Sequence, residues 1–168
     1  RPRRSVMNPE DATPPNPAMS RPALDAFWLD RLRQKGLSAL LPNTPTHPSE
    51  FALCVQQLND GRYFEAHESL EAIWGKAPYP MKLFYYSLIK LSVGLLQIER
   101  HNARAARTQL SVAVQYLAPF APAFMGLKAA SLVDQAENRL ELLQSVGRVN
   151  WSAMDGLQRV VFTTDPNP

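Results

Sequence analysis

His67 and Glu71 are the residues of this chain best suited to do chemistry together. They lie four apart in Gly61-x-Tyr63-Phe64-Glu65-Ala66-His67-Glu68-x-x-Glu71-x-x-Trp74. On a helix that spacing lets an imidazole meet a carboxylate. At about 100° per residue, Tyr63, His67, Leu70 and Trp74 share the stripe predicted to face the core. An ionisable pair on an apolar stripe is costly to bury unless it is hydrogen-bonded. Three readings follow. His67 and Glu71 form a buried structural network; or Glu71 orients His67 as a general base or acid, with Glu68 as a further carboxylate beside it; or the carboxylates hold a metal. The pattern lacks the second histidine of His-Glu-x-x-His and the Glu-x-x-His of di-iron bundles. The expectation is therefore no metal and no cofactor.

A second set of polar residues runs through the apolar segment 80–101. Ser87, Lys90, Gly94, Gln97 and His101 recur at spacings of three and four, one narrow stripe on an otherwise apolar rod. It reads either as a solvent edge or as the wall of a cleft facing His67 and Glu71. In the second reading Lys90 or Gln97 meets the pair, Gly94 admits a close neighbour, and Arg104 and Arg107 close the cleft around an anion. The predicted ligand-binding residues are thus Lys90, Gln97, Arg104 and Trp74.

Helices must position these groups. Leu24, Phe27, Trp28 and Leu32 recur at helical spacing up to Gly36, and Pro48 precedes a stripe of Phe51, Val55 and Leu58. Helices are predicted over 62–74, stopped by Gly75, and over 80–101, which is apolar round most of its circumference and so central. Asn102 caps the next, whose Ala103, Ala106, Leu110, Val114 and Leu117 face inward as far as Pro119. Residues 127–145 carry Leu132, Ala136, Leu140 and Leu143 on one face. Residues 61–66 align with 101–106 at an offset of 40 positions, a weak repeat of helical-hairpin type. The fold class is all-α, an antiparallel helical bundle of about five to six helices with tetratricopeptide-like hairpins.

The helix carrying His67, followed by Phe84-Tyr85-Tyr86-Ser87-Leu88-Ile89-Lys90 and an Asn102–Ala106 turn, resembles domain-of-unknown-function family 309 over roughly residues 48–145. The resemblance implies a small helical bundle found in bacteria, archaea and plastid-bearing organisms, without an established activity. It carries over to His67, Glu68, Glu71 and Trp74, and to Lys90 and Asn102. The family pattern has Gln at position 90, Gly at 101 and Gly at 105, where this chain has Lys90, His101 and Ala105.

Composition limits the remaining choices. The chain has 168 residues, 45% hydrophobic, enough for one core. One cysteine, Cys54, excludes a disulfide framework and a thiolate zinc site. Lys90 and Gln97 interrupt the most apolar run, so no membrane span is expected. Arg1, Arg3 and Arg4 account for the whole formal charge of +3, which leaves no basic surplus for nucleic acid. The expected organisation is a disordered tail over 1–20, a helical domain over 21–147 and an arm over 148–168. That arm is either extended or one helical turn packing back. Cytoplasm is the expected location, or a plastid or other organelle if residues 1–20 are a processed leader. The first functional expectation is a structural or interaction module, as a homodimer or with a protein partner, around a buried His–Glu network. The alternative is binding of a small anionic ligand, or a hydrolase-type enzyme using His67 and Glu71.

Overall fold

A computed structural model describes residues 16, 18–43, 45–144 and 147–162. The expected disordered tail falls outside these residues up to position 15. By Ser20 the chain is already capping a helix, its hydroxyl accepting from the Ala23 N–H at 3.4 Å. Pro22 in the first turn and Gly36 beyond the last bracket α1, Arg21–Lys35, and a short α2 follows over Leu37–Leu40. The bundle proper comprises α3 (Phe51–Asn59), α4 (Tyr63–Lys76), α5 (Met81–Glu99), α6 (Ala103–Leu117) and α7 (Ala129–Gln144). A 3-10 turn over Ala118–Phe120 ends α6, and α8, Trp151–Asp155, lies in the C-terminal segment. Among the described residues there is no strand beyond an isolated bridge between Phe124 and Leu127. No described helix is long and apolar enough to cross a membrane.

The all-α bundle expected from the sequence is the fold. Each short turn reverses the chain, so α4 packs on α5, α5 on α6 and α6 on α7. α5 is central because it is apolar on almost every side: Leu83, Phe84, Tyr85, Leu88, Leu91 and Leu95 are all buried. Gly94 marks its closest approach to α6. A Cβ there would stand 2.6 Å from Leu110 Cδ2, so only glycine permits this packing distance. The predicted polar stripe therefore does not form one cleft wall. Gly94 faces a helix, and Ser87 is buried with its hydroxyl on the Phe84 carbonyl at 2.6 Å.

The repeat at an offset of 40 is a repeat of backbone geometry. Arg62 N–H bonds Gln57 O at 2.9 Å and Asn102 N–H bonds Gln97 O at 2.9 Å. Each turn also has an inner bond, Gly61 to Leu58 at 3.1 Å and His101 to Ile98 at 2.9 Å. This is one helix-ending motif made twice, and it demands a left-handed residue at its pivot. Gly61 takes φ 73° and His101 φ 55°. The histidine at that pivot stacks on Trp151 with centroids 4.3 Å apart and meets Asp155 at 3.0 Å.

Two local expectations need correction. Gly75 does not stop α4, which runs to Lys76 and ends where Ala77, ahead of Pro78, turns extended. The central helix, expected over 80–101, ends at Glu99, ahead of the left-handed His101. The C-terminal segment includes one short helix and also packs back: Met154, Val160 and Phe162 are buried in the core.

Candidate functional site

His67 Nε2 and Glu71 Oε1 lie 2.9 Å apart on α4, as their spacing predicted. They are not a buried network, however. The His67 side chain is 24% exposed and that of Glu71 52%. The buried stripe of α4 is Tyr63, Ala66, Leu70 and Ile73, so His67 and Trp74 stand at its edge, beside α5.

That edge is one wall of an open cleft of about 270 Å³. α4 contributes His67, Glu71 and Trp74, and α5 contributes Tyr86, Ile89, Lys90 and Val93. Arg21 enters from α1 and Gln109 from α6. Trp74 packs against Tyr86 with ring centroids 6.0 Å apart. Cations cover these rings: Arg21 lies 5.1 Å from the Tyr86 centroid, Lys90 5.2 Å from it, and Lys82 4.5 Å from that of Trp74. Lys82 also donates to the Trp74 carbonyl at 2.7 Å, and burial pushes its ammonium below the usual lysine range. Lys90 forms no ion pair among the described residues. Trp74 Nε1 and Gln109 Oε1 are buried without a hydrogen-bond partner, although both side chains border the cleft.

Beneath the cleft lies a carboxylate that the sequence reading missed. Asp25 of α1 is 1% exposed. It accepts from Tyr79 Oη at 2.6 Å, Arg21 Nη1 at 2.8 Å and Tyr116 Oη at 3.0 Å. Burial, and then the adjacent carboxylate, push both phenols far above their ordinary range. One guanidinium nitrogen serves Asp25, which fixes the rest of the Arg21 fork at the cleft. A local signal did exist. Asp25, Trp28, Leu29 and Leu32 follow the i, i+3, i+4, i+7 pattern of a buried face.

The other predicted ligand residues stand apart. Glu68 is exposed outside the cleft, and Gln97 lies further along α5. Arg104 is exposed, and Arg107 donates to the Leu143 carbonyl at 3.0 Å, tying α6 to α7. Neither arginine closes the cleft, because both lie further toward the α6 N-terminus than Gln109. Of the predicted set, His67, Glu71, Trp74 and Lys90 come together. Among the described residues no three His, Cys, Asp or Glu side chains could jointly hold a metal ion.

A larger cavity of about 320 Å³ lies between the 45–50 segment, the end of α4 and the start of α5. Its walls are mostly apolar, with Ile73, Ala77, Pro78 and Met81, and Thr46, Glu50, Ser69, Lys76 and Tyr85 also border it. Nearby, His47 stacks on Phe51 with centroids 3.8 Å apart and meets Tyr85 Oη at 2.9 Å. Burial pushes the His47 imidazole down to about 4.

Residues 51–109 match a domain of unknown function, DUF309, as the motif led us to expect over the wider span 48–145. No curated protein and no solved structure matches the chain. The match takes in His67, Glu71, Trp74, Tyr86, Lys90 and Gln109. Arg21 and Asp25 lie outside it.

Proposed function

We propose that this protein binds a small anionic molecule in the cleft between α4 and α5. The observation that carries this reading is Lys90, an ammonium without a carboxylate partner, sharing a partly enclosed aromatic cleft with the Asp25-held guanidinium of Arg21. Small-molecule sites are concave, largely apolar and furnished with a few converging polar groups. Ile89, Val93, Trp74 and Tyr86 supply the apolar walls, and His67 and Glu71 supply the polar rim. Tyr86 is the only residue bordering the cleft with a hydroxyl, and none has a thiol, so no serine- or cysteine-type nucleophile is read there. The competing interaction module draws less support. The large apolar side chains exposed among the described residues are Leu53, Phe64, Leu157 and Val161, on α3, α4 and the C-terminal segment.

Calorimetric titration with acetate, benzoate and isocaproate tests the reading. At least one should bind, and Lys90→Gln should weaken it about tenfold or more, the effect of losing one charge-assisted contact. Equal affinity of Lys90→Gln and the unaltered protein for every anion would refute it.

A further inference from the structure

The polar groups of the cleft are of both signs and do not satisfy each other. Glu71 places Oε1 2.9 Å from His67 Nε2, and its side chain is 52% exposed. Lys90 shares the cleft with Glu71, but the two form no ion pair. Trp74 Nε1 is a donor without an acceptor, and Gln109 Oε1 an acceptor without a donor. A simple carboxylate would answer Lys90 and Arg21. It would leave Glu71 unanswered and be repelled by it.

We infer that the ligand is zwitterionic, a small molecule of the α-amino-acid class, its carboxylate held by Lys90 and Arg21 and its ammonium by Glu71. The inference rests on the anion-binding reading and adds the second charge. Three observations support it. First, Lys90, which forms no ion pair among the described residues, and the half-exposed Glu71 line one cleft and are together complementary to a molecule carrying both charges. Second, Trp74 Nε1 and Gln109 Oε1, a donor and an acceptor buried behind the lining, repeat that polarity without themselves being open to a ligand. Third, Ile89, Val93 and Tyr86 leave an apolar wall for a side chain, within a volume of about 270 Å³ that suits a molecule of this size. Arg21 can serve the ligand without leaving Asp25, because a guanidinium has five N–H donors and Asp25 is met through one nitrogen.

The probes are the standard L-amino acids, each titrated into the full chain by calorimetry, with acetate, benzoate and isocaproate as carboxylates lacking the amine. The best amino acid should bind at least about tenfold tighter than the best simple carboxylate, the difference made by one ammonium–carboxylate contact. Glu71→Gln should abolish that preference, weakening the amino acid relative to the carboxylates, since the Gln amide cannot supply the charge. Because Glu71 is half-exposed, this variant should fold, which circular dichroism checks. If the simple carboxylates bind as tightly as any amino acid, the zwitterion inference falls and the anion reading stands. A preference that survives Glu71→Gln also overturns the inference. If neither class binds, both readings fall.

Discussion

Helix α1 and the C-terminal segment both lie outside the matched span 51–109, and both dock onto the same bundle by opposite means. α1 buries a charge. Asp25 is surrounded by Arg21, Tyr79 and Tyr116, and its apolar neighbours Trp28, Leu29 and Leu32 complete the seam. The C-terminal segment buries apolar side chains and fastens its backbone with a neutral amide. Asn59 Nδ2 donates to Phe162 O at 3.0 Å and Asn59 Oδ1 accepts from Phe162 N–H at 2.7 Å, as a neighbouring strand would. Arg139 adds a bond to Gln158 O at 2.9 Å. A buried charge is secure only while every partner is present, whereas a neutral clasp can lose its amide and keep its hydrophobic anchor. The first arrangement also delivers a side chain to the cleft; the second only seals the core.

Asp25→Ala should break this comparison most forcefully. It strands Arg21 and two half-buried phenols, and about 3–5 kcal/mol of stability should be lost in urea titration. A loss under about 1 kcal/mol would mean that Trp28, Leu29 and Leu32 alone hold α1. Asn59→Ala should cost less, about 1–3 kcal/mol, because it leaves the Phe162 N–H and C=O unpaired but keeps the ring buried. Its signature should be local: amide exchange should speed up at Phe162 well before it does in α5. Uniform acceleration would show instead that the clasp is integral to the whole bundle.

His47 sharpens the contrast by titration, and its effect should be the smallest. Burial holds its imidazole at about 4, below the ordinary 6.5. A histidine depressed in this way favours the folded state fully above about pH 6.5, and that contribution fades as pH falls through about 4. Half-burial limits it to on the order of 1 kcal/mol. Urea midpoints should therefore decline between neutrality and pH 4 more steeply in the unaltered protein than in His47→Asn. Parallel declines would assign the acid sensitivity to other groups.

Much of the fold was legible because its signals are local. Asn102 and Gly36 mark helix ends, the apolar circumference of 80–101 marks the centre, and the offset of 40 between two turns marks a shared backbone motif; the Ser20 cap was missed inside the expected tail. His67 and Glu71 were legible for the same reason, being one turn apart. The depth of burial was not, because His67 and Trp74 sit at the edge of the α4 stripe rather than on it. Asp25 stayed hidden because the apolar residues of α1 were grouped as Leu24, Phe27, Trp28 and Leu32, which leaves Asp25 off the stripe. Its partners Tyr79 and Tyr116 are 54 and 91 positions away, beyond any periodicity argument. Arg139 escaped likewise: a guanidinium at 7% exposure on α7 donates to the Gln135 carbonyl of its own helix and to the carbonyl that Gln158 brings from a distant segment.

The phenols on Asp25 give the protein an optical gauge of its own. Tyr79 and Tyr116 are held neutral by burial and by the carboxylate beside them, and burial pushes Tyr85 up to about 12. A raised phenol favours folding below its ordinary value of about 10 and withdraws that support as pH rises past it. The part of the tyrosinate absorbance that Tyr79 and Tyr116 contribute above their ordinary value of about 10 therefore reports where α1 is. While the helix is seated, the chromophores beneath it stay dark, and they light up when it lifts away, whether or not the rest of the bundle has melted.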